Sequence, residues 1–140
     1  METYIRLFRR IQPWLNRQYN RMGISGIQAS IILSLTTEKV KKQHELVNAL
    51  GLRKGTIFKA VEQLVANGYI KIERQRGDKR IRVLRPTHNT YYLSKQIQSL
   101  HHMIGEILLG DYLAGTSELL EHYLREMMKN VPFLIPSCWI

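Results

Sequence analysis

Two groups of residues in this chain have types and spacing suited to chemistry, and in both the chemistry is charge neutralisation. Arg53, Lys54, Thr56 and Lys59 lie close together at the start of a stretch with helical spacing. Arg74, Arg76, Lys79, Arg80 and Arg82 crowd a later stretch, with Asp78 among them. Guanidinium, ammonium and hydroxyl groups at that density engage phosphate oxygens and base edges. They belong to a wider imbalance: Lys39 to Arg85 holds thirteen of the 21 Lys and Arg residues against Glu45, Glu62, Glu73 and Asp78, which is +9 of a net +10. The flanking segments contribute +3 and −2 and nearly cancel.

A disordered basic tail would show the same count. Here, however, the charge is interleaved with Leu46, Val47, Leu50, Leu52, Ile57, Val61, Leu64, Ile70, Ile72, Ile81 and Val83, at the spacing of a folded core. A folded, compact, basic module implies a nucleic-acid partner. A solvated charged face would explain one helix but not the second basic segment beside it. A different class stays open: an assembly module whose basic hairpin docks an acidic protein. Selection of specific sites from random duplexes separates the two.

Other chemistry is thin. His101, His102 and Glu106 fall close together on one helix-spaced segment and His122 lies on the next, but no His-x-x-x-His or Cys-x-x-Cys pattern accompanies them, which argues for surface histidines and no metal. Cys138 has no partner cysteine in the chain, so no internal disulfide forms, a reducing cytoplasm is the expected location, and the thiol reads as buried and inert. No nucleophile–base arrangement, phosphate loop or carboxylate pair points to an enzyme, and no cofactor is expected. No apolar run reaches the ~20 residues that span a bilayer.

The elements that must position the basic groups follow from periodicity. Tyr4, Phe8, Ile11, Leu15, Tyr19 and Met22 make one helical face, with Pro13 predicting a kink or two short helices meeting there. Ser25 and Gln28 have capping-box spacing, so a helix starts at Ser25 and runs to about Leu35. Lys42 to Asn67 reads as two helices with a tight turn at Gly51 and Leu52, the second ending at Gly68. Its helical wheel turns Gly55, Lys59, Glu62 and Gln63 outward. Phe58, on its flank, either touches a thymine methyl or covers the edge of the core, and the apolar ring favours the core.

The period then alternates, predicting a hairpin with Arg76 to Lys79 as turn. Pairing Gln75 with Arg80 puts Glu73 opposite Arg82 and Ile72 opposite Val83, giving one ionic and one apolar face. A long helix follows Pro86. A last helix, from about Ser117 to Asn130, buries Leu120, Tyr123, Leu124, Met127 and Met128, and an apolar tail runs from Val131 to Ile140.

Helix, turn, helix and basic hairpin make a winged helix-turn-helix, in which a helix fits the major groove and the hairpin tip reaches the adjacent minor groove. On these residues the chain resembles the MarR (multiple antibiotic resistance regulator) family, through ELVNALGL from Glu45, TIFKAVEQLVANGYI from Thr56, and the wing's GDKR with Asp78 and Arg80. The resemblance implies that Arg80 enters the minor groove with Asp78 holding it, and that terminal helices dimerise. It also implies a small aromatic effector, bound between the dimerisation helices and the DNA-binding module, that relieves repression. Some relatives sense oxidants through cysteine. Two departures stand out: Arg53 occupies a position where the family commonly has a serine cap, and Pro86 one where a leucine often precedes the threonine.

The expectation is therefore a mainly α chain with a small β-hairpin. Residues 1–24 form an N-terminal dimerisation helix, 25–86 the winged module, and 87–140 C-terminal dimerisation helices and tail. The partners are palindromic double-stranded DNA and a second copy of the chain, with no membrane.

Overall fold

Four helices, α1 (Glu2–Arg21), α2 (Gly26–Thr37), α3 (Gln43–Leu50) and α4 (Lys54–Ala66), lead into an antiparallel hairpin of β1 (Ile70–Gln75) and β2 (Asp78–Pro86). Two more, α5 (His88–Leu109) and α6 (Ala114–Met128), follow. The computed structural model describes residues 2–109 and 114–129, in two compact units that divide between Ile97 and Gln98.

α2 is apolar around most of its circumference, the pattern of a helix enclosed on all sides. It packs against α1, α3, α4 and β2, and Ala29, Ile31 and Ile32 are fully buried. Its start is the capping box that the sequence predicts: the Gln28 amide donates to Ser25 Oγ at 3.2 Å, and the Ser25 amide donates to Gln28 Oε1 at 2.9 Å. The other end of the Gln28 amide is also used, Nε2 donating to Gln63 Oε1 on α4 at 3.0 Å. Leu46, Ile57, Val61, Leu64, Ile70 and Leu84 complete the core around α2. The first half of α5 closes it through Thr90, Leu93, Ser94 and Ile97, and the Thr36 and Ser94 hydroxyls meet at 2.7 Å.

α1 runs unbroken through Pro13, so the two-helix alternative is not realised. One missing amide is a small part of a 20-residue ladder, which is further supported by the Glu2–Arg6 pair at 2.6 Å and by Arg21 in the last turn. Of the stripe read from the sequence only Tyr19 is buried, while Tyr4, Ile5, Leu7 and Phe8 are exposed. In the second unit, α6 begins at Ala114, earlier than Ser117. The side chains it was expected to bury, Leu120, Tyr123, Leu124, Met127 and Met128, are exposed among the described residues. Val131 to Ile140, Cys138 included, lie outside the described residues.

α4 ends as predicted. Gly68 takes a positive φ of 80°, its amide donates to the Val65 carbonyl, and the Tyr69 amide reaches back to Leu64, which together close the helix and turn the chain into β1. The hairpin departs from the sequence-based pairing. Ile72 lies opposite Leu84, Glu73 opposite Val83 and Arg74 opposite Arg82, one residue out from the expected register. An irregularity between Arg74 and Gln75 then brings Gln75 opposite Asp78, so the turn is only Arg76 and Gly77, with Gly77 at a φ of 88°. Burial selects this register, since it puts Leu84, 2% exposed, on the core face beside Ile70. A third rung flanks β2: Lys42 bridges Val83, and the Leu84 amide donates to the Lys41 carbonyl at 2.7 Å.

Candidate nucleic-acid interface

The N-terminal turns of α4 present their charge outward because Ile57, Ala60, Val61 and Leu64 occupy the buried stripe. Lys54, Thr56 and Lys59 are exposed, as is Arg53 at the N-cap. Arg53 provides no side-chain cap, and two cations at the positive end of a helix dipole disfavour the free helix. A phosphate at that end relieves both features, because it accepts from first-turn amides and neutralises the cations.

The wing carries the second half of the surface. Asp78 orients Arg80: its Oδ1 accepts from the Arg80 amide at 3.0 Å and from Nε at 3.2 Å, and its Oδ2 accepts from Nη2 at 3.4 Å. The Arg80 side chain nevertheless remains 92% exposed. The Arg80 guanidinium first, and its amide second, hold the Asp78 carboxyl below the ordinary carboxylate range, so this pair stays ionised at neutral pH. Arg74 donates to the Lys79 carbonyl at 3.4 Å, and Arg76, Lys79 and Gly77 are exposed at the tip. At the wing's base Arg85 pairs with Glu73 at 2.6 Å, the partner that the expected register gave to Arg82.

Of the ten predicted residues, Arg53, Lys54, Thr56 and Lys59 are exposed on α4 and its N-cap, Arg74, Arg76, Lys79 and Arg80 are exposed on the wing, and Asp78 is half-buried beside Arg80. The tenth, Arg82, points inward: only 12% exposed, it ion-pairs with Glu62 and lies over the Phe58 ring, 4.9 Å from its centroid. Phe58 is half exposed rather than sealed into the core edge. The sequence reading missed α3, whose Gln43, His44 and Asn48 join Lys54, Phe58 and Arg80 in lining a groove of about 600 Å³ between α3, α4 and the wing. The i, i+4 spacing of His44 and Asn48 on one face of α3 was the available signal, but α3 was read only for its inner face.

Among the described residues no group of three His, Cys, Asp or Glu is arranged to hold a metal. His102 instead pairs with Glu106 at 3.1 Å on an exposed turn, and burial lowers the pKa of His101. No described helix is long and apolar enough to cross a membrane.

Helix, turn, exposed basic helix and basic wing make a winged helix-turn-helix fold. Residues 22–81 match the model of the MarR family. No curated protein matches the chain. Among solved structures, a MarR transcriptional regulator from Methanosarcina mazei is similar at 22% identity and a TM-score of 0.81, covering 96% of each chain. A MarR protein from Peptoclostridium difficile is similar at 24% identity and a TM-score of 0.78, covering 93% of this chain and 85% of that one. A MarR family regulator from Listeria monocytogenes, complexed with a 26mer DNA, has 18% identity and a TM-score of 0.81, covering 94% and 88%. Over residues 22–81 the chain is thus similar to the MarR family, and its fold is that of the MarR regulators it resembles.

Proposed function

We propose that this protein is a cytoplasmic, homodimeric repressor that binds a palindromic duplex and is released by a small aromatic effector. The observation that carries the DNA-binding geometry is the exposed face shared by α4 and the wing, with Arg80 aimed outward by Asp78. In this reading α4 enters a major groove, with Arg53, Lys54, Thr56 and Lys59 meeting phosphates and base edges, and Arg80 enters the neighbouring minor groove. The Listeria relative is complexed with DNA, which supports the same role here.

Dimerisation follows from uncovered apolar surface. Tyr4, Ile5, Leu7 and Phe8 on α1, and separately Leu119, Leu120, Tyr123, Leu124 and Met127 on α6, are exposed in the protomer. Each large side chain is worth about 1.5–3 kcal/mol when buried, so such surfaces favour a partner copy. A two-fold dimer places its recognition helices about 34–36 Å apart, and that spacing dictates a palindrome.

For the effector, a groove of about 740 Å³ runs between α1, α2 and the α3–α4 turn, lined by Phe8, Leu15, Tyr19, Asn16, Ser30 and Leu52 among others. Its apolar side chains suit an aromatic ring, and Gln12, Asn16, Asn20 and Ser30 offer hydrogen bonds to a carboxylate. Release requires that the ligand bind the free dimer more tightly than the DNA-bound one. Selection from a random duplex pool tests the function: recovery of an inverted repeat is expected, and enrichment of no sequence at all would overturn it. Titration of salicylate-like acids against the recovered complex then tests the release step.

A further inference from the structure

The wing's inward-facing arginine sets it apart from every other cation on this surface. In the observed register Arg82 shares a face of the hairpin with Ile72 and Leu84, the core face, because pleating returns every second residue to the same side. It also stands directly opposite Arg74, an arrangement that like charges disfavour. The conflict is resolved sideways. The Arg82 guanidinium leaves the strand pair and crosses to α4, where Nη2 donates to Glu62 Oε1 and the planar group covers Phe58. Its Nε and Nη1 are buried without hydrogen-bond partners, so the ring face and the carboxylate are what hold it. Phe58 and Glu62 are four residues apart and so occupy one side of α4, next to the outward Lys59.

We propose that Arg82 is a positioning residue, a latch that fixes the angle between the recognition helix and the wing, and that it is not a phosphate contact. This rests on the reading that α4 and the wing bind one duplex together. A major-groove helix and a minor-groove arginine fit the same DNA only if their separation is set beforehand; a loose wing spends binding free energy on ordering itself. Glu62 thereby gains a role that opposes its charge. An acid on a DNA-facing helix repels phosphate, yet here it restrains the cation that holds the wing in place.

The test compares full-length Arg80→Ala, Arg82→Gln, Arg82→Lys and Glu62→Ala with the unmodified protein. Affinity for its selected duplex is measured across a salt series, and amide hydrogen exchange is followed without DNA. Loss of the latch should weaken specific binding on the order of tenfold while the log–log salt slope stays unchanged; Arg80→Ala should flatten that slope by about 0.9. Arg82→Lys should behave like Arg82→Gln, since an ammonium neither stacks as a plane nor forks to a carboxylate. Glu62→Ala should also weaken binding, although it removes a negative charge, and a combined Glu62→Ala/Arg82→Gln protein should be little worse than either alone. In the free protein, wing amides from Lys79 to Arg82 should exchange faster in both single variants while α2 amides do not.

A flattened slope in Arg82→Gln, an unaltered affinity in Arg82→Lys, or tighter binding by Glu62→Ala would overturn the latch. So would wing exchange that matches the unmodified protein, a result independent of any duplex. Failure of the unmodified protein to select a duplex would instead sink the DNA reading, and the exchange arm would still decide whether the latch exists.

Discussion

At the scale of single residues, the Asp78–Arg80 pair shows how a surface contact can orient a guanidinium without being strong. Both side chains face solvent, where an ion pair adds little stability, so its use is to aim the guanidinium. Arg80→Ala should therefore reduce duplex affinity most among wing substitutions and leave thermal unfolding unchanged, which titration and calorimetry would check together. The Asp78 carboxyl has a depressed pKa in the folded protein. Whatever it contributes is present above the ordinary carboxylate range, near pH 4, and is lost as pH falls through the lowered value. Wing orientation, read as the chemical shift of Arg80 Nε, should thus be constant from about pH 5 upward, and Asp78→Asn should abolish the acid step. Asp78 and Arg80 were legible in sequence because the motif is local. Arg82 was not, because its partners Phe58 and Glu62 are brought to it only by tertiary packing.

At the scale of elements, local signals fixed the helix ends and non-local ones fixed the hairpin. The Ser25–Gln28 box and Gly68 were readable because each acts within a turn of its own position. Ser25→Ala should cost about 1 kcal/mol in urea denaturation, the usual value of a lost N-cap. Gly68→Ala should also cost about 1–2 kcal/mol, and the whole of it through the backbone, since an added Cβ would meet nothing within 4 Å while φ stays at 80°. The strand register was not readable. Val83 and Leu84 are both apolar, and either can serve as the inward residue until α2, α4 and the Lys41–Lys42 rung are in place. The bulge beside Gln75 carries no composition signature at all.

At the scale of the whole molecule, the apolar stripe of α1 and that of α6 were legible as helix faces, but a periodicity does not say whether a face is covered by its own chain or by another. Among the described residues Tyr19 at the end of the α1 stripe is buried, while Tyr4 and Phe8 at its start and Leu120, Tyr123, Leu124, Met127 and Met128 on α6 are exposed. Light scattering at micromolar concentration should give the mass of a dimer, and replacing Phe8 and Leu7 together with serine should shift it towards the monomer and lower duplex affinity in parallel. A monomeric unmodified chain would remove the basis for a palindromic site. The charge map belongs to this scale as well: with +9 carried by Lys39 to Arg85, duplex affinity should fall steeply with salt, which a titration across a salt series checks.

The two-ended use of Gln28 has a mechanical consequence. Its Nε2 holds Gln63, which projects about 5 Å from the axis of α4. A roll of α4 by about 20° would carry that side chain about 1.7 Å and break the 3.0 Å bond. The azimuth of α4, and with it the direction in which Thr56 and Lys59 point, is thus pinned in part by an amide that also starts α2. Gln28 is in effect an index pin for α4.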